Sequence, residues 1–353
     1  MSDRGVPELA GSGSPGLPSG IGNLTWRARI LRGRARHPLL SFVIRRVGAG
    51  IILLFFVSIL IFAVTEILPG NAAYAILGRN SSPAALAAVS RQLGLDRPAS
   101  ARYISWLWGF LHGNLGSSLT AQQPVSTLIG GRLINTAVLA GLALAVLLPV
   151  AIVLGIISGA RAGKPVDHAI STVSLAGIAL PDFVVATLLI FIFAVSLKAL
   201  PAVSLLPPGA SPFSQPSVLV LPAATLVIVG LAYMIRILRA GMIDVMGSEY
   251  IQMARLNGIS ERRVILEHAL RNALAPTVQV TALTLQWLVG GIFIVETVFA
   301  YPGIGQGMVQ AVIARDVPAI QSIGMLIGIF YVLVNIVADV LVVLLIPKLR
   351  TQA

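Results

Sequence analysis

Six stretches of this chain run at about the length a bilayer requires with almost no charge: Val47–Thr65, Leu133–Ala160, Ala169–Leu197, Ser217–Ile235, Asn272–Val295 and Val317–Ala338. A helix needs about 20 apolar residues to cross a hydrocarbon core. That pattern predicts an all-α polytopic membrane protein with six transmembrane helices. Composition agrees, with 56% hydrophobic and 11% charged residues in 353, where a soluble domain has about 25% charged. The apolar runs leave no room for a second large soluble domain. The first run lies too far from the N-terminus, and lacks a small-residue cleavage site, to read as a signal peptide. The third contains Pro181-Asp182, so a kink is expected there. The sixth is expected to continue through Asp339 to Ile346.

Charge sets the orientation. With the N-terminus in the cytoplasm, the inside segments (1–46, 161–168, 236–271, 347–353) hold 18 Lys+Arg against 7 acids. The outside segments (66–132, 198–216, 296–316) hold 7 against 4. The bias places both termini inside. Residues 1–41 are expected to form a disordered, basic cytoplasmic extension, because a Gly/Ser/Pro-rich segment buries too little to offset its ordering. The arginines between 27 and 46 read as a flank that orients the first helix and meets anionic headgroups, rather than as a nucleic-acid arm. The first helix is expected within 42–68, an external loop with short helices at 69–131, and five further spans within 132–350. In that loop Pro83–Leu93 has helical composition, and the aromatic, amphipathic Ala101–Leu111 lies on the membrane surface or in an external vestibule. Gly155–Gly159 and Gly324–Gly328 are small-xxx-small pairs that permit close helix contact.

The charged stretch 247–276 stands apart from this hydrocarbon. Glu249–Pro276 reads as helix, tight turn, helix. Gly258, after Asn257, suits the left-handed position just past a helix end. Ser260 is placed to N-cap the next helix with its side chain. Leu266, Ala269, Leu270, Ala273 and Leu274 fall at helical spacing on one apolar face, with Arg263, Glu267 and Arg271 on another. The hairpin is either a docking surface or a solvated loop with ordinary ion pairs.

Chemistry is sparse. The chain has no cysteine, so thiol catalysis and Cys-ligated metals are excluded. There is no G-x-x-x-x-G-K-[ST] loop and no H-E-x-x-H, and the four histidines lie outside or at the edges of the spans. No catalytic residue and no metal site is expected. Ionisable groups within spans are functional candidates; here they are Asp182 and Asp339, with Asn335 one turn from Asp339. Each is a pathway or coupling-ion site, or a structural polar group. They motivate an ion-coupled secondary transporter as an alternative, weakened by the lack of an obvious internal duplication.

The hairpin resembles the EAA loop of ABC importer membrane subunits. Gln252-Met253-Ala254 takes the E-A-A place, Gly258 the glycine and Leu274-Ala275-Pro276 the end, with the usual glutamate missing. Other stretches resemble the B-type permeases of dipeptide and oligopeptide importers, in the same order. They include F-V-I-R-R, L-P-G-N-A-A, G-N-L-G-S-S-L, R-L-I-N-T-A, V-E-T-V-F-A-Y-P-G-I-G and V-N-I-V-A-D-V-L. The likeness covers roughly residues 42–350; Asn71 departs from it, standing where that family has Asp. The resemblance implies a type I ABC importer permease fold in the cell membrane and import of di- or oligopeptides. Nickel, glutathione or oligosaccharide import is the alternative within the same subunit type. It implies a second homologous permease, two cytoplasmic ATPases carrying the ATP and magnesium, and an extracytoplasmic binding protein. This chain would itself bind no cofactor. The hairpin would be the coupling helix, with Glu249, Gln252, Ala254, Arg255, Gly258, Ser260, Arg262, Arg263 and Pro276 at the ATPase contact.

Overall fold

The computed structural model describes residues 38–67, 82, 84, 87, 91, 96–207, 209–270, 281, 284, 287–288 and 290–345. Outside these lie most of the N-terminal extension, Asn71, most of Pro83–Leu93, Arg271, Ala273, Leu274, Pro276, the start of the expected fifth span and the C-terminal tail. The elements are α1 (Pro38–Ile67), α2 (Ala99–Leu111), α3 (Val125–Ala160), α4 (Pro165–Ala179), α5 (Asp182–Leu189, continued as a π-helical turn to Ser196), α6 (Ser217–Met246), α7 (Glu249–Leu256) and α8 (Glu261–Arg263, continued as a π turn over Val264–Ala269). Then follow α9 (residues 290–298), α10 (Ile304–Ile313) and α11 (Val317–Leu345).

Among the described residues, α1, α3, α6 and α11 are long and apolar enough to cross a membrane, and α4 with α5 makes a fifth candidate. The helices overrun the apolar stretches that announce them. α1 begins at Pro38 and α6 runs on to Met246, carrying Arg45, Arg46, Arg236 and Arg239 past the hydrocarbon.

The expected kink at Pro181 is a full break. α4 and α5 meet at 106°. Pro181 offers no N–H, and its ring disfavours α geometry in the residue before it; Leu180 is accordingly extended (φ −93°, ψ 126°).

The centre of the bundle is α3 against α6. Leu139, Ala143, Leu147 and Ala151 form one buried row at every fourth position of α3, facing Leu226, Met234 and Leu238 of α6. The row ends in Gly155 and Gly159. A Cβ on Gly155 would stand 2.5 Å from the Leu238 Cβ, and one on Gly159 would overlap the Met242 Cβ and lie 3.0 Å from the Arg239 carbonyl. The first small-xxx-small pair is thus a helix-crossing point.

The second pair does similar work. Gly324 and Gly328 of α11 face Ile61, Leu54 and Val57 of α1. Gln321 Nε2 donates to Thr65 Oγ1 (2.9 Å) at one end of this pair, and Arg46 meets Asp339 (3.0 Å) at the other. α1 and α11 are therefore antiparallel, and the start of α1 and the end of α11 share one end of the bundle. α2 lies against α1, with Tyr103 at Ser58 (2.8 Å) and Trp106 beside Phe62.

Candidate functional site

The hairpin α7–α8 sits at the bundle end where α1 starts and α11 finishes. α7 carries Glu249 in its first turn and Arg255 in its last, charges that complement the helix dipole. It closes through a Schellman arrangement. Ile259 N–H donates to Ala254 O (3.2 Å) and Gly258 N–H to Arg255 O (3.0 Å), with Gly258 at φ +75°. The glycine read from the sequence is required here.

Two other expectations need correction. Ser260 occupies the N-cap of α8, but its side chain makes no cap bond; its carbonyl accepts from Arg263 and Val264 N–H instead. The apolar face also holds only in part: Ala269 is buried as expected, but Leu266 is not. Leu266 is 47% exposed, while Val264 and Ala269 are buried. The π turn from Val264 to Ala269 closes bonds five residues apart, so positions 264 and 269 share a face that a 3.6-residue period does not bring together.

Ile251, Ala254, Val264 and Ala269 form one small core with Met242 of α6, packed on Ile156 and Ala160 of α3. Ala254, placed by resemblance at the ATPase contact, thus faces inward. Arg255 holds the hairpin together. Its guanidinium donates to both Glu261 oxygens (3.1 and 2.7 Å), and that bonding holds the Glu261 carboxyl below its ordinary range. Arg263 pairs with Glu267 at 3.6 Å. Outward stand Tyr250 (45% exposed), Met253 (58%) and Leu256 (81%), one apolar stripe at a spacing of three. Glu249, Gln252, Arg262 and Arg263 are also exposed. The stripe's large side chains were absent from the expected contact set, although their spacing is visible in the sequence.

A buried ion pair anchors the hairpin's platform. Asp167, at the start of α4, accepts from Arg239 Nε (2.5 Å) and Nη2 (2.7 Å) of α6. It also accepts from Ser158 Oγ (2.6 Å) and Gly163 N–H (2.8 Å). One carboxylate thus ties α3, the turn after it, α4 and α6 directly behind Met242. The helical pattern alone gave no hint of this pair, 72 residues apart.

The opposite end is closed by two further buried acids. Glu296 accepts from Thr136 Oγ1 (2.6 Å) and from the Gly305 and Gln306 N–H groups (2.7 and 3.3 Å). It thereby caps α10 at the helix's positive end. Arg132 donates to Gly303 O and Gln310 Oε1 (3.2 and 2.8 Å). The stretches R-L-I-N-T-A and V-E-T-V-F-A-Y-P-G-I-G are thus two sides of one joint. Asp316 caps α11 through Ala319 N–H (3.4 Å) and accepts from Ser118 Oγ, Thr120 Oγ1 (2.9 Å) and Leu119 N–H (3.2 Å).

The intramembrane candidates separate. Asp339 is paired with Arg46, and Asn335 Nδ2 donates to Tyr331 O (2.9 Å). Asp182 opens α5 at the break, and no Lys or Arg forms an ion pair with it among the described residues. No group of three or more His, Asp or Glu side chains is placed to hold a metal among those residues.

Residues 151–351 match the family described as binding-protein-dependent transport system inner membrane component. The chain belongs to that family. Residues 39–140 match the separate N-terminal part of such membrane components. A Brucella abortus protein provisionally named as a peptide transport system permease is 35% identical over 310 residues, covering 88% of this chain and 99% of the relative. A Sinorhizobium fredii protein, provisionally named as a peptide ABC transporter permease, is 32% identical over 311 residues, with shares of 88% and 99%. The glutathione transport system permease protein of Escherichia coli is 34% identical over 312 residues, again with shares of 88% and 99%. Family membership makes the chain a multi-pass membrane component of a transport system. It also removes the ion-coupled secondary transporter.

Proposed function

We propose that the chain is one of two membrane-spanning subunits of an ATP-driven importer of di- and oligopeptides, with the α7–α8 hairpin as its coupling element. Two ATPase subunits, holding ATP and magnesium, receive the hairpin on the cytoplasmic side, and an extracytoplasmic binding protein delivers peptide to the opposite end. The observation that carries this reading is the build of the hairpin. One face is a core continuous with α3 and α6, and the other is an exposed stripe, Tyr250–Met253–Leu256, on a hairpin whose Arg262 and Arg263 are exposed too. Such a patch marks a protein interface. The charge bias assigns the hairpin's end to the cytoplasm together with both termini, and six spans follow if 272–298 crosses as one helix. The 1–41, 42–68, 69–131 and 132–350 division belongs to this proposal with two bounds shifted, because α1 already begins at Pro38 and α3 at Val125. Of the assigned contact residues, Glu249, Gln252, Arg262 and Arg263 face outward. Arg255, Gly258 and Ser260 shape the turn, Ala254 seats it, and Pro276 lies outside the described residues. Glutathione is itself a tripeptide, so the relative named for it falls within the same substrate chemistry.

Gly258→Val tests the assignment. A Cβ there meets nothing within 4 Å, so the cost is conformational, about 1–2 kcal/mol for a left-handed side chain, and falls on the turn. In proteoliposomes with all subunits, peptide uptake and peptide-stimulated ATP hydrolysis are expected to fall about five- to thirtyfold, as that cost implies, while the complex still assembles. Wild-type uptake and stimulation in this variant would remove the hairpin from the coupling role.

A further inference from the structure

Beside the α4–α5 break lies a cavity of about 480 Å³, within the range of small-molecule sites. Ile178, the last residue but one of α4, forms part of its wall. Tyr233 of α6, Trp287 and Tyr331 of α11 bring three aromatic rings to it, and Thr284 a hydroxyl. Gly230 also lines it: a Cβ there would overlap Leu147 of α3 and reach the Trp287 ring at 3.6 Å.

Three independent features mark the place. Thr284 is 2% exposed and its Oγ1 has no hydrogen-bond partner, a costly arrangement unless something else fills it. Asp182 is close by. Its Oδ2 and the Trp287 ring both face Gly291, within 3.0 and 3.5 Å of where a Cβ there would stand. This carboxylate has no ion-pair partner among the described residues, and an uncompensated charge at membrane depth is expensive. Finally, extended backbone at that depth persists only where it is buried in protein or lines a watered cavity, and the break at Leu180–Pro181 is exposed. An unpaired anion, an unpaired hydroxyl and aromatic walls together suit one kind of occupant. It carries a cation, an amide and an apolar side chain on adjacent atoms.

We propose that this cavity receives the N-terminal residue of a peptide in transit. The α-ammonium faces Asp182, the first side chain lies among Tyr233, Trp287 and Tyr331, and the Thr284 hydroxyl bonds the first peptide group. The inference rests on the peptide-importer reading and adds a substrate requirement: a free amino terminus followed by an apolar side chain.

The chain has no cysteine, so Thr284→Cys introduces its only thiol. In the solubilised complete complex, a small water-soluble thiol reagent labels that position, and labelling is followed on this subunit by mass. The probe is Phe-Ala at millimolar concentration, with N-acetyl-Phe-Ala as control. Phe-Ala is expected to slow labelling at least about tenfold more than its acetylated form, the factor given by roughly 1.4 kcal/mol of ammonium–carboxylate attraction. Adding Asp182→Asn is expected to erase the difference. If Thr284→Cys does not assemble, Tyr331→Cys reports on the same cavity from α11. Equal protection by both peptides, no protection, or labelling only by a lipid-soluble maleimide overturns the proposal, the last by assigning the cavity to lipid. Uptake of Phe-Ala by the wild-type complex is measured in parallel. Uptake without protection removes the cavity assignment alone, and absence of uptake removes the peptide reading with it.

Discussion

Asp167→Asn isolates what the buried ion pair contributes. The substitution keeps the shape and removes the charge. In the native arrangement both carboxylate oxygens face donors: Arg239 Nε and Ser158 Oγ on one, Arg239 Nη2 and Gly163 N–H on the other. Whichever way the Asn amide turns, its NH₂ faces a donor. Removing one partner of a buried pair costs about 3–5 kcal/mol. The two partners differ in burial, with side-chain exposures of 1% for Asp167 and 32% for Arg239. An abandoned Arg239 reaches water or headgroups, so Asp167→Asn is expected near the low end, about 3 kcal/mol, or about a hundredfold in the unfolding equilibrium. Arg239→Leu strands a fully buried carboxylate and is expected nearer 5 kcal/mol. The double variant should recover at least about 1.5 kcal/mol of the summed loss. Unfolding of the purified chain by sodium dodecyl sulfate in mixed micelles, followed by circular dichroism, gives all three values. A cost under about 0.5 kcal/mol for Asp167→Asn, or strict additivity in the double variant, refutes the assignment of this pair as the anchor behind the hairpin.

Three further outcomes are expected. Gly159→Ala gains up to about 1 kcal/mol of helix propensity, yet its Cβ overlaps Met242 and crowds the Arg239 carbonyl. Overpacking against backbone costs about 1–3 kcal/mol, so the variant should lose heat resistance in detergent; a gain would mean that α3 and α6 separate freely. The Glu261 carboxyl is held below its ordinary value near 4.5 by Arg255, so its stabilisation is present above that value and is lost as pH falls below it. The pair is exposed and contributes less than about 1 kcal/mol. Hydrogen-exchange protection of residues 251–263, corrected for intrinsic rates, should therefore drop slightly below pH 4.5 in the native chain and not in Glu261→Gln. Asp316→Ala removes the acceptor of Ser118, Leu119 and Thr120, where bonds to a charged group are worth about 1.5–3 kcal/mol each. Protease cleavage within 117–121 should become faster, and unchanged cleavage would remove Asp316 as the clamp of that loop.

Features set by a few neighbouring residues were legible in the sequence. The apolar stretches give the four long helices, Asn257-Gly258 gives the turn, and the small-xxx-small pairs fall at helix crossings. Proline was less informative. Pro149 lies inside α3 without ending it, whereas Pro181 breaks the helix, and both follow apolar residues in apolar stretches. The difference depends on what packs around each. Periodicity also failed at Leu266, because a single π turn resets which residues share a face. Least visible were the acids that hold the two ends. Asp167 finds Arg239, Glu296 finds Thr136 and Asp316 finds Ser118 only after helices far apart in the chain have packed. Of the candidates inside spans, Asp339 has a partner in Arg46, and Asp182 has no basic one among the described residues.

The pairing of α1 with α11 has a consequence for how the protein is made. Arg46 leaves the ribosome about 290 residues before Asp339. At roughly 5–20 residues per second, that interval lasts about 15–60 s. Throughout it α1 sits in the bilayer without the helix that fills its Gly50 notch with Val332 and bonds its Thr65. The other spans insert and pack in the meantime. Although made early, α1 is therefore among the last of the described helices to be locked in place, and an interrupted chain is marked by an α1 that still faces lipid on every side where α11 belongs.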